Sequence, residues 1–323
     1  MKVCVVIPSW NAADLIGACL RSLEAQTYPL DIIVVDNGSV DNSVSVVEKG
    51  FPEVRLIKLL KNTGFDGGVN AGIRPALAEG YDAIALVNND VVLEKGWLER
   101  LVAVLETHKD TGIVSAKQLH MDKKHFDSTG DFYSIWGMPF PRGRNQPDTG
   151  QYDQAEELFS APAAATLYRA AMFKEIGIFD EKFFAYFEDV DISFRAWLAG
   201  WKVRYEPKAE VYHHIGATSA KLGSFSRYHS IKNFFMLYVK NMPGWLFWKY
   251  LPLFLIQGAR LGASSILRGG GLAYFRGLAK AVLYAPWVLA DRYRIQSRRK
   301  ASSKTIDALL YHQRPPKIPP LSS

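Results

Sequence analysis

The sequence predicts an α/β fold in which a mainly parallel sheet is flanked by helices and followed by a helical C-terminal extension. Over the first 120 residues, apolar runs rich in β-branched residues alternate with segments that carry apolar residues at helical spacing. Such alternation indicates βαβ units with parallel strands. The composition, 48% hydrophobic and 22% charged, is ordinary for a globular chain with a sizeable core. After residue 210 the character changes, because 17 lysines and arginines occur there with only two acidic residues.

The N-terminal elements are predicted in a regular order. They are the strand Val3–Ile7, the helix Asp14–Ala25, the strand Asp31–Val35, a helix capped by Asp41 or Asn42 that runs to about Lys49, the strand Val54–Leu59, a glycine-rich loop with a short helix, and the strand Tyr81–Val87. Val3–Ile7 is continuous and β-branched, as expected for a strand buried on both faces. Ligands of open sheets bind beyond the carboxyl ends of the strands, so the polar residues there are the first site candidates.

The middle of the chain is less regular. Glycine, proline and charged residues dominate residues 136–151, which predicts a loop or a hairpin that leaves the sheet. Regular elements resume at Phe159–Arg169. A helix is predicted near Ala171–Ile176, and another over Asp189–Ala199 that ends at Gly200.

The last third of the chain predicts membrane association. Trp245–Leu267 and Leu272–Ala290 are rich in aromatic and aliphatic residues, but basic residues and prolines interrupt both. A spanning helix needs about 20 mostly apolar residues, so a pair of interfacial helices on an anionic membrane surface fits better than a span or a nucleic-acid site. A helical cap on the first domain is the alternative. From Arg292 the chain is basic and then proline-rich, which predicts an extended or disordered tail.

These patterns divide the chain into three predicted regions. They are a sheet-containing domain over residues 1–220, a helical, basic, membrane-associating region over residues 221–300, and a basic proline-rich tail over residues 301–323. No secretory signal opens the sequence. We therefore expect a cytoplasmic protein that associates peripherally with the inner face of the cell membrane.

Two segments carry candidate metal ligands. Asn88-Asn89-Asp90 follows the strand that ends at Val87, and a carboxylate fixed there can hold a hard cation that also binds a diphosphate. Taken alone, the motif is more simply explained as a turn. His213-His214 follow the strand-like segment Ala209–Tyr212, where at most one histidine would serve as a ligand. A polar loop histidine is again the simpler interpretation.

Two further segments suggest phosphate binding and acid–base chemistry. Residues 61–70 form a glycine-rich segment that lets the backbone approach a phosphate, although a flexible connection is an equal alternative. Glu188, Asp189 and Asp191 crowd at a predicted helix start beside aromatic residues, which suits either capping or a general base. Asp189 and Asp191 lie about 200° apart around the helix axis, so they cannot face one reacting centre. We expect Asp191 to face solvent or to cap the helix.

In their order along the chain, these motifs resemble the family-2 glycosyltransferases, which have the Rossmann-like GT-A fold. The motifs are Val5-Val6-Ile7-Pro8-Ser9-Trp10-Asn11, Val34-Val35-Asp36-Asn37-Gly38-Ser39, Asn62-Thr63-Gly64-Phe65, Asn88-Asn89-Asp90, Phe187-Glu188-Asp189-Val190-Asp191 and His213. The segment from Phe179 to Asp191, with Arg195-Ala196 and Gly200-Trp201, is similar to the rhamnosyltransferase-type branch. The resemblance covers about two thirds of the chain, and the combination is far more specific than any single motif.

The resemblance implies a role for each matching residue. It implies donor binding by Pro8, Asn11, Asp36, Asn62, Gly64 and Asn88, metal binding by Asp90 and His213, and catalysis by Asp189 as the base with Glu188 near the acceptor. It further implies a divalent metal, Mg or Mn, and a nucleotide-diphosphate sugar donor, with dTDP-rhamnose first and a UDP-sugar as the alternative. The implied acceptor is a saccharide or a polyprenyl-lipid-linked saccharide, and the implied reaction inverts the anomeric centre.

Three other classes of protein fit the sequence less well. A nucleotidyltransferase of related fold should have a glycine-rich, lysine-containing loop near the amino terminus, which is lacking. A dinucleotide oxidoreductase should have its fingerprint after the first strand, where Pro8-Ser9-Trp10-Asn11 stands instead. A non-catalytic saccharide- or nucleotide-binding protein needs no base, so it predicts no loss of function in Asp189→Asn.

Overall fold

A computed structural model describes residues 1–214 and 223–321, so the domain boundary predicted near residue 220 lies outside the described residues. The strands are β1 Val3–Ser9, β2 Asp31–Asp36, β3 Arg55–Lys58, β4 Ala83–Val87, β5 Val91–Leu93, β6 Thr111–His120, β7 Phe126–Ser128, β8 Asp131–Tyr133, β9 Pro139–Pro141, β10 Glu156–Glu157, β11 Ala165–Arg169 and β12 Lys202–His213. The helices are α1 Ile16–Glu24, α2 Ser43–Gly50, α3 Gly64–Ala78, α4 Trp97–Thr107, α5 Ala170–Ile176, α6 Glu188–Leu198, α7 Gly223–Asn241, α8 Gly244–Leu267, α9 Gly271–Ser297 and α10 Ser303–Leu309.

One sheet organises the N-terminal two thirds of the chain, in the strand order β10-β12-β6-β11-β4-β1-β2-β3. β3, β2, β1 and β4 are parallel, as βαβ units require, and β6 is parallel to β12. β11 lies between β4 and β6 and is antiparallel to both. The predicted irregular segment forms the hairpin β8–β9 beside this sheet. The fold class predicted from the sequence is therefore confirmed.

Alternation along β1 shows how the sheet divides the core. Cys4 and Val6 point to the face covered by α3, α6 and α7, whereas Val5 and Ile7 point to the face covered by α1, α2 and α4. All four side chains are fully buried. Burial on both faces is why this strand has a continuous apolar sequence rather than an alternating one.

The glycine-rich segment was predicted to be a loop, and this was wrong. α3 begins at Gly64 and contains Gly67, Gly68 and Gly72. A Cβ atom at Gly68 would lie 3.1 Å from Asn37 Nδ2, and one at Gly72 would collide with Val6. These glycines let the helix lie close against the sheet, so packing outweighs their poor helix propensity.

The C-terminal helices pack on the sheet-containing part through α7. Phe234 and Tyr238 of α7 are buried in the same core as Phe194 of α6. α9 then packs along α7, and α8 packs against α9. Within the described residues, no helix is both long enough and apolar enough to cross a bilayer.

The prediction of an extended or disordered chain from Arg292 onward was wrong for residues 292–309, whereas residues 313–321 form no helix or strand. α9 continues to Ser297, and α10 begins after Ser302, whose hydroxyl accepts a hydrogen bond from the Thr305 amide at 3.0 Å. Ile306 of α10 is fully buried in the core. The segment is ordered because it covers apolar surface that its basic composition does not reveal.

Candidate active site

A cavity of about 700 Å³ opens at the carboxyl ends of β1, β2 and β4. Its lining includes eight of the candidate residues: Pro8, Asn62, Gly64, Asn88, Asp90, Glu188, Asp189 and His213. It also includes residues that the sequence did not single out as site residues, among them Trp10, Asn37, Gln118, Asp127, Arg144, Phe184, Tyr186 and Phe225. The chain thus gathers segments from its first 90 residues and from residues 118–225 around one space.

Two candidates stand outside this lining. Asn11 is exposed and holds the neighbouring loop, because its Oδ1 accepts from the Val40 amide at 2.9 Å. Asp36 is only 5% exposed at the end of β2, and its Oδ2 accepts from the Ser39 amide at 3.3 Å. Both residues shape the loops beside the cavity and do not line it.

Asn37 organises the N-terminal side of the cavity. Its Nδ2 donates to the Gly64 carbonyl at 2.8 Å, and its Oδ1 accepts from the Thr63 amide at 2.9 Å. Gly64 has a φ of +80°, and a Cβ atom there would collide with the carbonyl of Phe184. The next amide, that of Phe65, donates to the same Phe184 carbonyl at 2.6 Å. Only glycine allows these two cavity walls to meet so closely.

Asp90 and His213 lie 123 residues apart in sequence but meet at the cavity wall. His213 Nε2 is 3.1 Å from Asp90 Oδ1, and its Nδ1 is 2.7 Å from Asp127 Oδ2. Burial opposes a charge on His213, but the hydrogen bonds with Asp127 and Asp90 raise its pKa to about 10. A carboxylate on the far nitrogen of a histidine fixes the ring for metal binding.

Asp90 and His213 could together contribute to holding one cation, because they bring an oxygen and a nitrogen ligand atom to the same place on the cavity wall. Across residues 1–214 and 223–321, however, no group of three or more His, Cys, Asp or Glu side chains is arranged to hold a metal. A cation here would need further ligands from a bound molecule.

Asp189 and Glu188 also line the cavity, at the start of α6. Burial raises the pKa of Asp189 to about 6, although the amides of Val190 and Ala163 lower it. Burial and the charge of Asp189 raise the pKa of Glu188 to about 8. The pKa of Glu188 is thus raised further than that of Asp189, the kind of divergence between neighbouring carboxyls that separates acid–base roles.

A strained turn delivers these acids into the cavity. Phe184, Tyr186 and Phe187 all have left-handed φ values, of 68°, 72° and 68°. Such a conformation costs about 1–3 kcal/mol for each non-glycine residue, so the surroundings must enforce it. Asn233 of α7 does so, since its Nδ2 lies 2.8 Å from the Ala185 carbonyl and 2.6 Å from that of Tyr186.

Asp191 neither faces solvent nor caps α6, so the prediction that it would do one or the other was wrong. It is 1% exposed, and its Oδ2 accepts from Arg195 Nε at 2.8 Å and from Lys240 Nζ at 3.0 Å. Its Oδ1 accepts from Asn241 Nδ2 at 2.8 Å. The carboxylate is buried because α7, which lies far along the chain, supplies two of its three partners.

Asp127 and Arg144 are site residues that sequence reasoning missed. They belong to the segment around β7–β9, and Arg144 Nη2 pairs with Asp127 Oδ1 at 2.7 Å. Arg144 also lowers the pKa of Asp189, so its charge is felt across the cavity. The one signal for them in the sequence is that an acidic residue and an arginine occur within an otherwise irregular, polar segment.

Comparisons with known proteins agree with this architecture. The sequence profile described as "Glycosyl transferase family 2" matches residues 4–177, just over half of the chain. The N-acetylglucosaminyl-diphospho-decaprenol L-rhamnosyltransferase of Mycobacterium tuberculosis is 28% identical over 233 residues, or 65% of this chain and 75% of the relative. The dTDP-rhamnosyl transferase RfbF of Shigella flexneri is 23% identical over 65% of this chain and 71% of its own length.

Solved structures share the fold at low sequence identity. S. aureus TarS 1-349 in complex with UDP has a TM-score of 0.58 and 16% identity, covering 97% of this chain and 93% of its own. The mannosyltransferase PcManGT from Pyrobaculum calidifontis, in complex with GDP-Man and Mn2+, has a TM-score of 0.55 and 16% identity, covering 88% and 87%. Together with the profile match and the site at the strand ends, these likenesses show that the chain belongs to glycosyltransferase family 2 and has the GT-A fold.

Proposed function

We propose that the protein transfers a sugar from a nucleotide-diphosphate donor to an acceptor hydroxyl, with inversion at the anomeric carbon and Asp189 as the base. The observation that carries the proposal is the placement of Asp189 in the same cavity as the Asp90–His213 pair. One wall then suits the donor diphosphate and the other suits the acceptor. Family membership alone does not identify the base.

The reaction follows from this arrangement as a single displacement. Asp189 accepts the proton of the acceptor hydroxyl while that oxygen forms a bond to the anomeric carbon. The bond between that carbon and the diphosphate oxygen breaks on the opposite face, and the nucleoside diphosphate leaves with the electron pair. One displacement inverts the carbon. Burial raises the pKa of Glu188 beside the base, which favours a protonated carboxyl that donates a hydrogen bond to orient the acceptor.

A divalent cation, Mg or Mn, would be held by Asp90 and His213 together with oxygens of the donor diphosphate. Bound there, it would neutralise negative charge on the leaving group. Asp127 would keep the His213 ring in position. Asn88 extends the polar wall beside this pair. Two protein ligands are few, so we expect the metal to bind much more tightly once the donor is present.

The relatives guide the choice of substrates to test. Two of them are rhamnosyltransferases by name, one acting on a decaprenol diphosphate and one named for dTDP-rhamnose. We therefore propose dTDP-rhamnose as donor, with UDP-sugars second, and a saccharide on a polyprenyl lipid as acceptor in the synthesis of a cell-surface polysaccharide. A panel of nucleotide sugars, scored by released nucleoside diphosphate with Mg or Mn, tests this. Release from none of them by wild type, or equal release by Asp189→Asn, would contradict the proposal.

We also propose that α8 and α9 rest on the inner face of the cell membrane. Large apolar side chains more than half exposed on these helices are Trp245, Trp248, Leu255, Ile266, Leu267, Leu272, Phe275, Val282, Leu283, Trp287 and Leu289. A soluble surface rarely presents so many, and the surrounding basic residues favour anionic lipid. Flotation with anionic vesicles tests this. Failure to float at low ionic strength would refute it.

A further inference from the structure

A second cavity, of about 770 Å³, lies between the start of α7 and the outer face of α9. Its lining alternates basic and apolar residues: Phe225, Arg227, Tyr228, Leu272, Arg276, Lys280 and Leu283 are among them. Phe225 lines both this groove and the candidate active site. The two spaces are therefore neighbours on opposite sides of one aromatic ring. We call this cavity the α7–α9 groove.

Three cations of the α7–α9 groove lack a neutralising partner. Within the described part of the chain, Arg227, Arg276 and Lys280 form no ion pair with a carboxylate. The guanidinium of Arg227 lies against the backbone of Gly270, where a Cβ atom would collide with it. Lys280 Nζ lies 4.6 Å from the ring centroid of Tyr284, a contact that leaves its charge unpaired. A concave site with three unpaired cations favours an anion of more than one charge.

The rim of the α7–α9 groove is apolar. Leu272 and Leu283 are 65% and 64% exposed, and they lie on the same face of α9 as Arg276 and Lys280 because their spacing is helical. Exposed Leu267 and Phe275 extend this surface beyond the groove. Leucines beside unpaired cations match a ligand that carries a charged group at the end of a hydrocarbon chain. A nucleic acid would leave these leucines uncovered.

We propose that the α7–α9 groove binds the diphosphate of a lipid-linked acceptor, with Arg227, Arg276 and Lys280 on the phosphates. This inference rests on the proposed glycosyl transfer. The lipid chain then runs over Leu272 and Leu283, and the saccharide passes Phe225 to reach the cavity. The groove thereby selects acceptors by their lipid carrier, and the sugar of the acceptor is recognised in the candidate active-site cavity.

Binding of farnesyl diphosphate, a short soluble analogue of the carrier, tests the assignment without requiring turnover. We expect the double variant R276Q/K280Q to bind it about 100-fold more weakly than wild type, because removing each of the two charge-assisted hydrogen bonds weakens binding about tenfold. Arg260→Gln is the matched control, because Arg260 is an exposed arginine on α8 outside the groove. It should bind as wild type does. Farnesol and inorganic diphosphate should each bind far more weakly than the complete probe.

Four results would overturn the assignment, and three of them concern affinity. They are unchanged binding by the double variant, an equal loss in Arg260→Gln, and equal affinity for inorganic diphosphate, which would indicate a simple phosphate site. Displacement of the probe by the nucleoside diphosphate product would also overturn it, because the probe would then occupy the donor site. Slow donor hydrolysis without acceptor should be the same in both variants and wild type. If wild type shows no donor hydrolysis, the proposed function is contradicted. The binding measurements with farnesyl diphosphate still decide whether the α7–α9 groove binds the carrier.

Discussion

Replacing Asp191 by asparagine should destabilise the protein and leave the proposed base in place. The carboxylate accepts three hydrogen bonds, from Arg195, Lys240 and Asn241, at 2.8 to 3.0 Å. Asp191, Arg195 and Lys240 are 1%, 5% and 3% exposed. Asparagine removes the only charge that both cations share. It also places an NH₂ group where an acceptor is needed, so at least one donor loses its partner.

The structure sets the size of the effect. Removing one member of a buried ion pair costs about 3–5 kcal/mol, because a charge is left without compensation. Lys240 keeps a second partner, Asp180, at 2.7 Å. Arg195 keeps the carbonyls of Ile176 and Ile178 at 2.9 and 3.0 Å. With both cations partly satisfied, we expect the lower end of that range, about 3 kcal/mol.

Urea unfolding at neutral pH, followed by tryptophan fluorescence, measures this loss. Glu181→Gln is the control, since it breaks an exposed pair with Arg74 at 2.6 Å and should cost at most about 1 kcal/mol. Turnover per folded molecule of Asp191→Asn should stay within a few-fold of wild type. A loss of stability no larger than that of the control would refute the account of the network. A collapse of turnover in folded Asp191→Asn would show that the choice of Asp189 as the base is wrong.

Four further outcomes are expected at the catalytic cavity. Asp189→Asn should lose about 10²–10⁴-fold in turnover at saturating donor, with donor and metal binding retained in calorimetry. The turnover of wild type should fall as pH drops through about 6, because Asp189 then takes up a proton; a flat profile from pH 5 to 8 would contradict this. Glu188→Gln should raise the acceptor KM more than it changes donor hydrolysis. Asp90→Ala should abolish metal-dependent donor binding without changing the circular dichroism spectrum, and unchanged affinities for donor and metal would remove it from the site.

The succession of strands and helices along the first 90 residues, and the sheet edge at which the cavity opens, could be predicted from the sequence because both depend on local signals. Val3–Ile7 is apolar throughout because neighbours cover both faces, and the polar residues after each strand mark the carboxyl edge. Asp90 and Asp189 became candidates because one follows a strand and the other lies at the start of a helix, and the family resemblance then implied their roles, which stay predictions. Their convergence on one cavity follows from the topology.

The contacts that finish the site could not be predicted in this way. Asp191 was misplaced because its partners Lys240 and Asn241 lie about 50 residues away on α7. Asp127 was missed because its role depends on pairing across 86 residues with His213. In both cases the deciding contact is long-range, and composition carries no record of which side chains will meet.

The contacts between α7 and the strained turn restrict where chimeras of this protein with related transferases can be joined. Lys232 and Asn233 bind the backbone carbonyls of residues 182–186, and a few residues earlier the same helix contributes Arg227 and Tyr228 to the α7–α9 groove. A chimera joined just before α7 would replace the residues that support the strained turn and the α7 residues of the α7–α9 groove at the same time. Swaps meant to alter acceptor choice should instead keep α7 and change α9. Chimeras with related transferases thus have a natural junction after residue 241.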